Sequence, residues 1–152
     1  MITIGSSWRR LTDVQQNNDN GLNLTQADTI SYMHFLSEAA TSHNMSIGLK
    51  NAGEVLTNLT SVAHFSVNEQ CVQYSECDSF APMIAAGKPV FHIEYPKGAP
   101  SGISEKIAVN MCDASGDASG SQWFSTVLKG VDLDGWVEYC DQTIANTTMM
   151  VS

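Results

Sequence analysis

Long apolar runs are missing from this 152-residue chain. The longest, around Ala81–Ala86 and Pro89–Ile93, fall far short of the about 20 residues that a bilayer-spanning helix needs. A helical membrane span within these residues is therefore excluded, and no membrane partner is expected. Met1–Leu11 carries Arg9 and Arg10 with no apolar block after them, so no signal peptide is expected in these residues. Basic residues are scarce: 7 Lys+Arg against 16 Asp+Glu leave a net charge of −9. Nucleic acid is a poor partner for such a chain, because phosphate binding needs a basic surface. No glycine-rich phosphate loop follows any predicted strand, which removes support for nucleotide binding. There is no Cys-x2-Cys and no His pair at ligand spacing, so the cysteines do not suit a zinc site.

What is present suits one globular domain. The hydrophobic fraction is 43%, enough to bury a core. Four cysteines, Cys71, Cys77, Cys112 and Cys140, allow three pairings if all are bonded, or stand as buried free thiols. Asn-x-Ser/Thr triplets occur at Asn23, Asn44, Asn58 and Asn146. Together with the cysteines and the acidity, they point to a secreted parent protein whose N-terminal part is not in this chain. Acidity of this degree attracts cationic ligands, and it also serves solubility.

Turn residues Asn17–Asn23 precede a helix opened by Thr25, with Asp28 completing a capping box, and continuing to about Ser42. The pattern then predicts strands at Met45–Lys50, Val62–Val67, Pro89–Tyr95 and Trp123–Leu128. Helices are predicted at Ala52–Leu59, Tyr74–Ala86 (closed by Gly87) and Ile103–Cys112. Asp134–Cys140 is short and ambiguous. Strands alternating with helices, and no hairpin signal between them, argue for a parallel α/β sheet. Four βα units make half of a (β/α)8 barrel, or a small doubly wound sheet.

Polar residues gather at three strand ends: Lys50-Asn51, Asn68-Glu69-Gln70 and Glu94-Tyr95. In a parallel α/β protein that edge is where catalysis sits. Glu69 and Glu94 beside Lys50 suit glycosidic cleavage, which needs one carboxyl to protonate the leaving oxygen and another to assist water or attack. The same groups also fit an ion pair at the rim between Lys50 and Glu94. His64 and His92 lie inside strands, where histidine is usually a hydrogen-bonded core residue. Tyr74, Tyr95, Trp123 and Trp136 are candidate sugar platforms or core.

Three segments carry a resemblance: Ser46-Ile47-Gly48-Leu49-Lys50-Asn51, Val67-Asn68-Glu69-Gln70-Cys71 through Cys77, and Ala85-Ala86-Gly87-Lys88-Pro89 through Tyr95. They resemble the endo-α-1,4-polygalactosaminidases, glycoside hydrolase family 114. Phe124–Cys140 echoes the fungal branch, and the likeness runs from about Asn17 to Cys140. The resemblance implies a (β/α)8 TIM barrel, present here as about four C-terminal βα units over 17–145. The segment 1–16 is divergent and 146–152 is a tail.

The resemblance further implies hydrolysis of galactosamine-rich polysaccharide by two acids, with no metal and no cofactor. The glutamate of Asn-Glu-Gln-Cys is Glu69, expected to be the general acid. Lys50, Asn51, Asn68, Gln70, Glu94 and Tyr95 are expected to line the sugar site, with Glu94 facing a substrate ammonium. The second acid belongs to a motif resembling Asp-Pro-Asp-Asn. Here that stretch reads Thr12-Asp13-Val14-Gln15-Gln16, and no role is carried to Asp13. De-N-acetylated galactosamine polymer is a polycation, which suits a −9 chain. The short loop favours a Cys71–Cys77 disulfide, leaving Cys112–Cys140. A half-barrel leaves open sheet edges, so self-association is expected. A truncated, inactive enzyme or a non-catalytic carbohydrate-binding fragment is the alternative to an active hydrolase.

Overall fold

A computed structural model describes residues 2–4 and 24–148 of the chain. They fall into two compact units, Met1–Val67 with Pro82–Pro89, and Asn68–Ala81 with Val90–Ser152. The expected boundary near residue 16, Asn23 and the last four residues lie outside the described residues.

In the first unit, strand β1 (Ile2–Ile4) pairs in parallel with β2 (Ile47–Lys50), and β2 with β3 (Phe65–Glu69). Helix α1 (Gln26–Ser42) begins where Thr25 and Asp28 exchange hydrogen bonds as a capping box, satisfying amides that a first turn leaves without carbonyl partners. It ends before Asn44, whose φ of +56° turns the chain toward β2. Helix α2 (Gly53–Leu59) buries Val55, Leu56 and Leu59, and the unit's core also holds Met33, Ile47, Leu49 and Met83. Lys88 ties the unit together by donating from Nζ to the carbonyls of Thr60 and Ala63.

β3 ends in the second unit, where β4 (Val90–Glu94) pairs in parallel with β5 (Ser125–Leu128). Between β3 and β4 the helix expected from Tyr74 starts later, as a 3-10 turn at Cys77–Phe80 running into α3 (Ala81–Ala85). The cause is local: the amides of Tyr74, Ser75 and Glu76 turn back to the carbonyls of Gln70, Val72 and Cys71. Helix α4 (Glu105–Cys112) follows, capped by Ser104.

The expected all-parallel arrangement does not extend to the end of the chain. Strands β6 (Trp136–Tyr139) and β7 (Ile144–Asn146) are antiparallel to their neighbours. Their hairpin closes without an Asn-Gly pair: Gln142 takes φ +67°, Tyr139 N–H donates to Thr143 O, and Asp141 accepts from the Thr143 amide. Lys129 Nζ fastens the preceding turn by donating to the carbonyls of Asp134 and Trp136, both at 2.6 Å. The described chain is thus a mixed α/β fold. No described helix is long and apolar enough to cross a membrane.

Candidate functional site

Alternation along the strands decides what each polar residue can do. Successive side chains of a strand point to opposite faces. On β4, Val90, His92 and Glu94 are buried, whereas Phe91 is 43% exposed and Ile93 is half-buried. Glu94 and Tyr95, adjacent in sequence, therefore work on opposite sides of the sheet.

Glu69 is the last residue of β3 and is half-buried. Its Oε1 accepts a hydrogen bond of 2.9 Å from the Tyr95 hydroxyl. Burial, the hydrogen bond to Glu69 and the negative charges of Glu69 and Glu94 together push the Tyr95 phenol well above its ordinary value. Tyr95 thus stays a proton-bearing donor throughout the neutral range, and it holds the Glu69 carboxylate in one orientation.

Glu94 does not line an open surface as expected. Its side chain is sequestered, so it is not placed to meet a substrate ammonium. Its Oε1 accepts from the Val72 amide at 2.7 Å and lies 2.8 Å from His92 Nε2. His92 is itself fully buried, and its Nδ1 lies 3.0 Å from the Thr126 hydroxyl. Both ring nitrogens of His92 are thus engaged, Nε2 with Glu94 and Nδ1 with Thr126. The ring also meets Phe124 edge-on at 5.9 Å.

Asn68 is buried too, and its Oδ1 accepts from the Cys71 amide at 3.1 Å. Gln70 takes φ +67° and its amide donates to Ile93 O at 2.9 Å. Three consecutive amides after Glu69, those of Gln70, Cys71 and Val72, are thus each anchored. The disulfide Cys71–Cys77 closes the same loop, and Cys112–Cys140 joins α4 to the end of the β6 hairpin strand. Cys71, Cys77 and His92 lie within 4.8 Å of one another, but the disulfide removes the thiolates that a soft metal would need.

In the first unit, Lys50 ends β2 and Asn51 follows it with φ +58°, its amide donating to Val67 O at 2.7 Å. Both are half-buried. Trp136 is core, whereas Tyr74 and Trp123 are exposed. Asn44, Asn58 and Asn146 are exposed. Sequence patterns did not single out Thr126, although a polar residue in register with His92 across β4 and β5 is the signal that identifies it. A pocket of about 210 Å³ beside Cys112–Cys140, lined in part by Ala108, Val109 and Tyr139, holds none of these groups.

Comparison with known proteins bears on this arrangement. The family model for glycoside-hydrolase family GH114 matches residues 7–145. Among solved structures, Ega3 of Aspergillus fumigatus, crystallised in complex with galactosamine, is 49% identical with a TM-score of 0.69. The match covers 84% of this chain and 51% of Ega3, so the chain spans about half the length of that relative. No curated protein matches significantly. With the family's model covering most of its length and a relative 49% identical over 84% of it, the chain belongs to glycoside hydrolase family GH114.

Proposed function

We propose that this chain carries part of the active site of a secreted hydrolase that cleaves galactosamine-rich α-1,4-linked polysaccharide, built on a (β/α)8 barrel to which it contributes about four βα units. Glu69 is one of the two catalytic carboxylates and acts as the general acid. The observation that carries this reading is the Tyr95–Glu69 hydrogen bond, which orients a strand-end carboxyl, together with a galactosamine-complexed relative at 49% identity. Either role of a catalytic carboxyl in glycosidic cleavage, proton donor or base, needs a side chain held in a fixed direction. In the second unit Gln70 follows Glu69 at the end of β3 and contacts the sugar, while Asn68 and Glu94 are buried and act through the backbone after Glu69. Lys50 and Asn51, at the end of β2 in the first unit, are sugar-binding residues of their own strand end. The acidic chain concentrates a polycation. Two disulfides suit an oxidising compartment.

A second reading, binding of the polysaccharide without cleavage, is favoured by one observation. The burial of Glu94 withdraws the second carboxylate that the strand ends offered. Release of reducing ends from de-N-acetylated polygalactosamine, with Glu69→Gln as control, separates the two. Turnover that disappears in the variant supports the hydrolase. Binding without turnover supports the second reading, and neither binding nor turnover defeats both. The exposed strand β7 is where a second copy would add, and light scattering measures that association.

A further inference from the structure

The buried Glu94 has no part in the direct chemistry assigned to Glu69, yet its burial calls for an explanation. A sequestered carboxylate costs stability unless its oxygens are paired. Here Oε2 has no hydrogen-bond partner among the described residues, while Oε1 serves both the Val72 amide and His92 Nε2. Apolar packing would fill this place at lower cost. What a carboxylate supplies and an apolar side chain does not is an acceptor for Val72, three residues after Glu69.

That amide is the last of the anchored set. The Gln70 amide reaches Ile93 O, the Cys71 amide reaches Asn68 Oδ1, and the Val72 amide reaches Glu94 Oε1. Two of these anchors, Ile93 and Glu94, are consecutive residues of β4, and the next residue, Tyr95, grips the Glu69 carboxylate itself. One stretch of β4 therefore sets both the backbone that follows Glu69 and the direction of its side chain. His92 stiffens Glu94, and Thr126 on β5 stiffens His92.

We propose that Glu94 is a positioning residue, which aims Glu69 by holding the Val72 amide through Oε1. The proposal rests on the assignment of Glu69 as a catalytic carboxylate. Reach, rather than charge, is what this role demands. Glu94→Gln keeps the length and an amide oxygen for Val72 but removes the charge. Glu94→Asp keeps the charge and is one methylene too short.

The test compares these two variants with the unaltered chain by hydrogen exchange at the Val72 amide, and by NMR of the hydrogen-bonded Tyr95 hydroxyl proton. In Glu94→Asp, Val72 exchange accelerates about ten- to a hundredfold and the Tyr95 hydroxyl signal broadens or is lost. Glu94→Gln leaves both close to the unaltered chain. If the pattern is reversed, with Asp tolerated and Gln disruptive, charge is what matters and the proposal is overturned. Unchanged Val72 and Tyr95 signals in folded Glu94→Asp overturn it as well. On de-N-acetylated polygalactosamine, Glu94→Asp lowers kcat about tenfold or more with KM nearly constant, whereas a rise in KM alone would indicate direct sugar contact and overturn it. The exchange and NMR readings need no turnover, so an unaltered chain that fails to cleave the polymer would count against the proposed function alone.

Discussion

The Tyr95 hydroxyl lies 2.9 Å from Glu69 Oε1, joining the residue that follows β4 to the last residue of β3. A neutral donor to a carboxylate is worth more than a bond between neutral groups, and here it also fixes direction. Tyr95→Phe removes the hydroxyl while keeping the ring. On the proposed substrate, kcat is expected to fall about ten- to a hundredfold, with KM changed by less than about threefold. Steady-state kinetics on the purified variant check this, and an unchanged kcat would remove Tyr95 from the machinery.

Gly48 on β2 tests the packing of the first unit. A Cβ at this position would overlap the buried ring of Phe65, its partner in register on β3. The ring belongs to a buried side chain and has little room to withdraw. Gly48→Ala is expected to destabilise by about 1–3 kcal/mol, measured as a lower urea midpoint at unchanged m-value.

Much of this site was legible in the sequence, but its depth was not. The capping box at Thr25 and Asp28 is a local pattern with a local cause, and the structure forms it. Glu69, Glu94 and Tyr95 stand at strand ends, where polar residues interrupting apolar runs placed them. Which face each one takes was hidden, because Phe91-His92-Ile93-Glu94-Tyr95 alternates apolar and polar, a pattern that turns His92 and Glu94 outward, whereas the structure buries both and leaves Phe91 exposed. Only pairing with neighbouring strands shows that Glu94 turns toward His92 while Tyr95 turns toward Glu69. The β6–β7 hairpin escaped for a different reason: Gln142 supplies the positive φ that Gly or Asn usually signals.

The two disulfides should separate in both stability and reducibility. Cys112 and Cys140 are 28 residues apart and Cys71 and Cys77 only 6. Loop-closure entropy thus favours a loss of roughly 3–4 kcal/mol on removing the first bridge and about 2 kcal/mol for the second. Accessibility orders the chemistry: Cys140 is exposed, whereas Cys71 and Cys77 are buried. Graded dithiothreitol followed by alkylation and peptide mapping is expected to label Cys112 and Cys140 first. Labelling of Cys71 at the lower concentration would contradict the burial of that loop.

Tyr95 also makes a signed prediction about alkaline pH. Burial, the hydrogen bond to Glu69 and the nearby carboxylate charges raise its folded-state value above the ordinary phenol value of 10.0. A raised folded value means that the folded state holds the proton more tightly than the unfolded chain does. The stability Tyr95 contributes is therefore fully present below about pH 10 and is lost progressively as the pH climbs from there toward its folded value. Urea unfolding at pH 8, 10 and 11 measures this loss. Tyr95→Phe, which has no phenol to titrate, is expected to show a shallower decline above pH 10 than the unaltered chain, and the same slope below it. Equal slopes for the two proteins above pH 10 would mean that the hydroxyl releases its proton as readily in the folded state as in the unfolded one, and that Glu69 is not its partner in solution.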